Sequence, residues 1–112
     1  MSKIANTPKP PYYAVIFTSH KRKGAHGYEN TAMRMLELAA QQPGFLGTEA
    51  SRTSVGITVS YWADLGSIKT WKENAEHIIA KEKGRELWYS EYKTRIAKVE
   101  RDYDFLLSEQ KE

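Results

Sequence analysis

The chain has 112 residues, 17 basic and 14 acidic, with a net charge of +3 and 40% hydrophobic residues. That length suits one domain with its own core, and the interspersed charges argue against a nucleic-acid partner. The absence of cysteine excludes disulfides, thiolate metal sites and cysteine nucleophiles, and it fits a cytoplasmic protein.

No apolar run approaches the roughly 20 residues that span a bilayer, so no membrane partner is expected. Residues 1–11 carry Pro8, Pro10 and Pro11. Proline fixes φ and removes backbone donors, which predicts an extended, flexible N-terminal arm. The stretch also lacks the apolar centre of a signal peptide.

The domain proper is expected over 12–105. Tyr12 to Thr18 reads as the first strand, with Tyr13, Val15 and Phe17 on one face and Tyr12, Ala14 and Ile16 on the other. Two apolar faces predict a central strand. Ser19 to Gly27 is a polar loop holding Lys21, Arg22, Lys23, His20 and His26. Tyr28, Ala32, Met35, Leu36 and Ala39 then recur at helical spacing, predicting an amphipathic helix over 28–42. Pro43 and Gly44 end it.

Phe45 to Thr53 predicts a second strand and Ile57 to Ala63 a third, joined by a hairpin turn. In the second, Leu46, Thr48, Ala50 and Arg52 alternate with Phe45, Gly47, Glu49 and Ser51. Asp64 is placed to cap the next helix, whose buried stripe is Ile68, Trp71, Ala75 and Ile78, with Gly84 as its break. Tyr92 to Phe105 predicts a long fourth strand, and 106–112 a polar tail.

The order β-α-β-β-α-β is the ferredoxin-like α+β arrangement, a four-stranded antiparallel sheet with two helices on one face. Helices on one side and apolar strand residues on both leave a sheet face to be covered. That predicts a homodimer with the sheets face to face.

Certain segments carry a resemblance. Pro-Gly-Phe-Leu-Gly at 43–47 enters a strand and Ser-Tyr-Trp at 60–62 leaves one. Trp-Lys-Glu-Asn-Ala-Glu-His follows at 71–77, then Ala80 and Gly84. Together, over about residues 12 to 105, these resemble the antibiotic biosynthesis monooxygenase superfamily of dimeric α+β barrels, in particular its haem-degrading-monooxygenase-like branch. The resemblance implies a pocket between sheet and helices. It also implies either cofactor-independent oxidation of small aromatic, quinol or polyketide-like compounds, or haem binding. Haem-degrading members carry an Asn on the first strand and a Trp and a His on the second helix. Trp71 matches that Trp, Tyr12 to Ser19 holds no Asn, and the usual His position falls near Lys81.

Among candidate residues, His77 is the proton carrier, since imidazole titrates near neutrality. On a continuous helix it stands about 120° from Trp71, at the edge of the buried stripe; a surface histidine is the alternative. Asn74, one turn earlier, would position a substrate oxygen. Trp71, Tyr61, Arg52 and Trp88 are the substrate-binding candidates. Packing is the competing role for the tryptophans, and ion pairing for Arg52. No metal site is expected, because His20 and His26 alone make a weak ligand set. No phosphate-binding glycine loop, nucleophile elbow or dinucleotide fingerprint is present.

The expected function is therefore a cofactor-independent monooxygenase on a small molecule. A non-catalytic, ligand-binding or stress-related dimer of the same fold is the first alternative. A haem-binding or haem-degrading protein is the second.

Overall fold

A computed structural model describes residues 4–24, 27–81 and 87–107. Its elements are β1 (Tyr12–Lys21), α1 (Tyr28–Ala40), β2 (Phe45–Arg52), β3 (Gly56–Trp62), α2 (Leu65–Lys81) and β4 (Tyr89–Val99). The strands form one antiparallel sheet in the order β2-β3-β1-β4. This is the expected ferredoxin-like α+β fold, and β1 is central as its two apolar faces require. No helix among the described residues is long and apolar enough to cross a membrane.

Local chemistry sets the helix boundaries. Gly27 enters α1 in the left-handed region at φ 78°, without a side-chain cap. At the other end, Gly44 turns the chain at φ 85°, and a Cβ there would collide with the Ser67 side chain at the start of α2. A glycine is thus required both for the turn and for the close approach. The Gly44 carbonyl also accepts the Ala63 amide at 2.7 Å. Asp64 caps α2 as expected, its Oδ1 accepting the Ser67 amide at 2.7 Å.

Register assigns the two sheet faces. Tyr13, Val15, Phe17 and Ser19 stand opposite Trp62, Ser60, Thr58 and Gly56, and all face the helices. On β2 the expected alternation is corrected. A register shift between Phe45 and Gly47 is a bulge that inserts one residue into the pleat. Phe45 and Thr48 therefore share the helix face, whereas simple alternation separates them.

Two further expectations are corrected. The fourth strand starts at Tyr89 and ends at Val99, not at Tyr92 and Phe105. The buried position late in α2 is Ile79 rather than Ile78, which is only half-buried. The helix break expected at Gly84 lies outside the described residues.

The core centres on Trp62, which is 0% exposed and packs with Ala39 and Ile68. Phe45 meets it edge-on at 5.3 Å, and Trp71 stacks on it at 6.3 Å with planes 22° apart. The Trp62 Nε1–H donates to Ser60 Oγ at 2.9 Å, so the buried indole leaves no unpaired donor.

On the reverse face, Tyr12 and Tyr61 meet edge-to-face at 5.8 Å. The Tyr61 hydroxyl donates to Glu49 at 2.7 Å, and Tyr12 donates to Asp102. The arm runs past this pair and is tied to it. The Ala5 amide donates to Glu49 at 2.8 Å, and Thr7 Oγ1 donates to the Tyr12 hydroxyl at 2.9 Å.

Burial first, and then the bond to Glu49, push the Tyr61 hydroxyl up to about 12. A folded-state pKa above the unfolded value of about 10 means that the folded state holds the proton more tightly. The resulting stabilisation is complete below pH ~10 and is lost as pH rises from there through about 12. Alkaline unfolding followed by circular dichroism is therefore expected to lose part of its pH dependence over that window in Tyr61→Phe. A profile identical to that of the parent would disprove the linkage.

Candidate functional site

Between the two helices and the sheet lies a cleft of about 240 Å³. α1 leans on β2 and α2 on β3, so the helices sit over one half of the sheet. The inner face of β4 is left open: Ile96 is 49% exposed although it lines the cleft. The cleft accordingly opens toward β4.

The lining follows from helical spacing. From α1 come Tyr28, Ala32, Met35, Leu36 and Ala39, the same stripe that periodicity marks. From α2 come Ile68, Trp71, Lys72, Ala75, Glu76 and Ile79. The sheet supplies Val15 and Phe17 from β1, Thr48, Thr58 and Ser60 from β2 and β3, and Tyr92 and Thr94 from β4. The wall is overwhelmingly apolar and aromatic, with hydroxyls on its floor. The hydroxyls of Thr48 and Ser60 are already engaged, with the Val59 carbonyl at 3.1 Å and with Trp62. Lys72 and Glu76 are the two formally charged residues among the lining; they pair at 3.8 Å and are both exposed.

The residues singled out from sequence divide. Trp71 lines the cleft, half-buried and stacked on Trp62. Asn74 and His77 are exposed and are not among the lining residues. Tyr61 lies on the reverse face of the sheet, bonded to Glu49. Trp88 is buried behind the cleft, edge-on to Tyr28 at 6.0 Å. Arg52 also stands behind Tyr28, its guanidinium 5.5 Å from the ring centroid. His26 lies outside the described residues, and no group of three or more metal-ligating side chains occurs among those described.

The sequence reading passed over Lys72 and Glu76 as lining residues, because charge suggests a solvated position. Spacing did carry a signal for both: counted from Ile68 they fall at i+4 and i+8, on the stripe that holds Trp71 and Ala75. Tyr89 reads from sequence as a packing or dimer contact. It lines the cleft, and burial, followed by the neighbouring Tyr28, holds its hydroxyl above the ordinary tyrosine range.

Removing the stacking wall tests the cleft directly. Nile red, a neutral apolar fluorophore, is expected to bind roughly tenfold more weakly to Trp71→Ala, the loss of one aromatic face. Unchanged affinity in a fluorescence titration would show that the cleft is not where the dye sits.

No protein-family model matches the chain. Over 103 residues it is 53% identical to the uncharacterized protein YqjZ of Bacillus subtilis (strain 168), covering 90% of each chain. The crystal structure of PA3566 from Pseudomonas aeruginosa superposes with a TM-score of 0.64 at 17% identity, over 86% of this chain and 99% of that one. NE2512 from Nitrosomonas europaea, a protein of unknown function, gives 0.64 at 17%, over 91% and 100%. A "putative Antibiotic biosynthesis monooxygenase" from Chloroflexus aurantiacus J-10-fl gives 0.51 at 18%, over 77% and 92%. At such identities the structural likenesses speak to the fold alone.

Proposed function

We infer that this chain, which belongs to the YqjZ family, binds a small, mainly apolar aromatic molecule in the cleft and oxidises it with dioxygen, without flavin or metal. The observation that carries the binding half is the cleft itself: concave, aromatic-walled and stacked with Trp71. The oxidising half draws on the shared fold with the Chloroflexus protein and its name, an argument by analogy.

The chemistry asks little of the protein. An activated CH₂ flanked by two aromatic rings and conjugated through them to a ketone, as in an anthrone, gives up a proton and supplies the electrons. One oxygen atom of O₂ bonds to that carbon and the other leaves as water, so CH₂ plus O₂ becomes C=O plus H₂O. The protein must hold the ring dry and accept the proton. Glu76 is the one carboxylate among the described lining residues, and in this reading it takes the proton, with Lys72 beside it.

Oxygen uptake with a panel of quinols and anthrone-type ketones tests this. Turnover is expected to fall about 100-fold in Glu76→Gln, the usual scale for losing a general base, and to persist in His77→Ala. The reverse pattern would return the proton to His77. A second reading, a binding module without turnover, draws on the exposed positions of His77 and Asn74. It predicts ligand-dependent thermal stabilisation with no oxygen consumed. The haem reading has less support than a small aromatic, because the usual ligand position falls near Lys81, β1 holds no Asn, and His77 is exposed and off the lining.

Pairing with a second copy belongs to the same proposal. Beyond β4 the chain presents Tyr103, Phe105 and Leu106 at 85%, 85% and 88% exposure. Apolar side chains so bare favour a partner surface. Light scattering is expected to give twice the 12.9 kDa chain mass, reverting to a single chain when residues after Glu100 are removed. A monomeric full-length chain would contradict it.

A further inference from the structure

We propose that Tyr28 is the polar anchor of the cleft, its hydroxyl set to donate a hydrogen bond to a carbonyl oxygen on the bound aromatic. This rests on the binding half of the reading above and does not depend on the oxidation.

Tyr28 stands in the first turn of α1 and lines the cleft. Its ring is held on several sides. Trp88 and Tyr89 meet it edge-on at 6.0 and 5.7 Å, and the Lys21 ammonium lies 5.0 Å from its centroid. Arg52 Nη2 donates to its hydroxyl oxygen at 3.3 Å. A guanidinium has only donors to offer, so the phenol oxygen must be the acceptor there. Tyr89 also bonds to Tyr28, one phenol donating to the other. One lone pair of the Tyr28 oxygen is engaged by Arg52, and its O–H is turned away from the guanidinium. Its other partner among the described residues, the Tyr89 phenol, is a weaker acceptor than a ketone oxygen, so a guest carbonyl takes the proton.

The guanidinium behind it sits in a built seat. A Cβ at Gly56 would strike the Arg52 guanidinium, so the glycine makes the room. Ser19, 1% exposed, accepts from Arg52 Nη2. No carboxylate pairs with Arg52 in the ion pairs of the described residues. A fixed positive charge beside a phenol oxygen polarises its O–H bond and favours negative charge building up on whatever accepts it.

Position along the sheet orients the ligand. Ser19 and Gly56 face each other at one end of β3, and Tyr13 and Trp62 at the other, roughly 20 Å apart. The tyrosine end is polar and the tryptophan end is not. The ligand is therefore an uncharged, flat aromatic ketone, its oxygen at Tyr28 and its rings running over Phe17 toward Trp71. Arg52 acts through Tyr28 and is a positioning residue.

The test compares 9-fluorenone with fluorene, the same tricyclic frame with and without the ketone oxygen. The parent protein is expected to bind fluorenone roughly 3- to 10-fold more tightly, the range of one net hydrogen bond. The carbonyl stretch of bound fluorenone should move to lower frequency in difference infrared spectra. In Tyr28→Phe the preference and the infrared shift should both vanish while fluorene binding stays. Gly56→Ala, or Arg52→Met if the alanine variant does not fold, should reduce the infrared shift without touching the cleft wall. Three results overturn the anchor: no preference in the parent protein, an infrared shift that survives Tyr28→Phe, or loss of both ligands together in folded Tyr28→Phe. If neither compound binds the parent protein, the binding reading falls and the anchor with it.

Discussion

One buried indole sets the geometry of the helix side of the sheet. Trp62 ends β3, and its ring is sealed between Phe45 and Trp71. Burying an aromatic of about 200 Å² contributes roughly 5 kcal/mol at 25 cal/mol per Å². That gain is kept because Ser60, two residues earlier on the same strand face, takes the ring N–H. Stacking on Trp71 fixes the rotation of α2 about its axis. That rotation buries Ile79, places the exposed Glu76 at the rim of the cleft and leaves Asn74 and His77 off it in solvent. The cleft is thus a by-product of how one tryptophan seats another.

The two sheet faces solve different problems with the same residue type. On the reverse face, Tyr12 and Tyr61 bury their rings and spend their hydroxyls on carboxylates, Asp102 and Glu49. That arrangement also fastens the arm, through Ala5 and Thr7. On the helix face, Tyr28 and Tyr89 meet each other and a guanidinium instead. Carboxylate partners absorb the hydroxyl protons on one side of the sheet. A cationic partner engages the hydroxyl oxygen on the other. The same side chain fastens the arm on the first face and lines the cleft on the second.

The element order, the central position of β1, the Asp64 cap and the α1 stripe were legible in the sequence, because each follows from a local period or a capping rule. The face assignment of Phe45 and Thr48 was not. Strict alternation separates them, and nothing in the composition announces a bulge beside Gly47. The extent of β4 was misjudged because Tyr103 and Phe105 continue the alternation past Val99 without a neighbouring strand to pair with. Among site candidates, Trp71 reaches the cleft. Tyr61 faces away because β3 pairs with odd-numbered β1 residues through its even-numbered ones. Arg52 was legible as a charge among apolar neighbours. Its seat over Gly56 was not, since that needs the hairpin to bring the two residues opposite each other.

The sideways lean of the helices over β2 and β3 has a kinetic consequence. Among the described residues the inner surface of β4 is bare at Ile96, so under the proposed binding a guest enters along the edge of the sheet and α1 and α2 need not part. Ile96 and Thr94, on the cleft lining, are then the residues such a guest passes. Anything that later lies across β4 would act as a door to it.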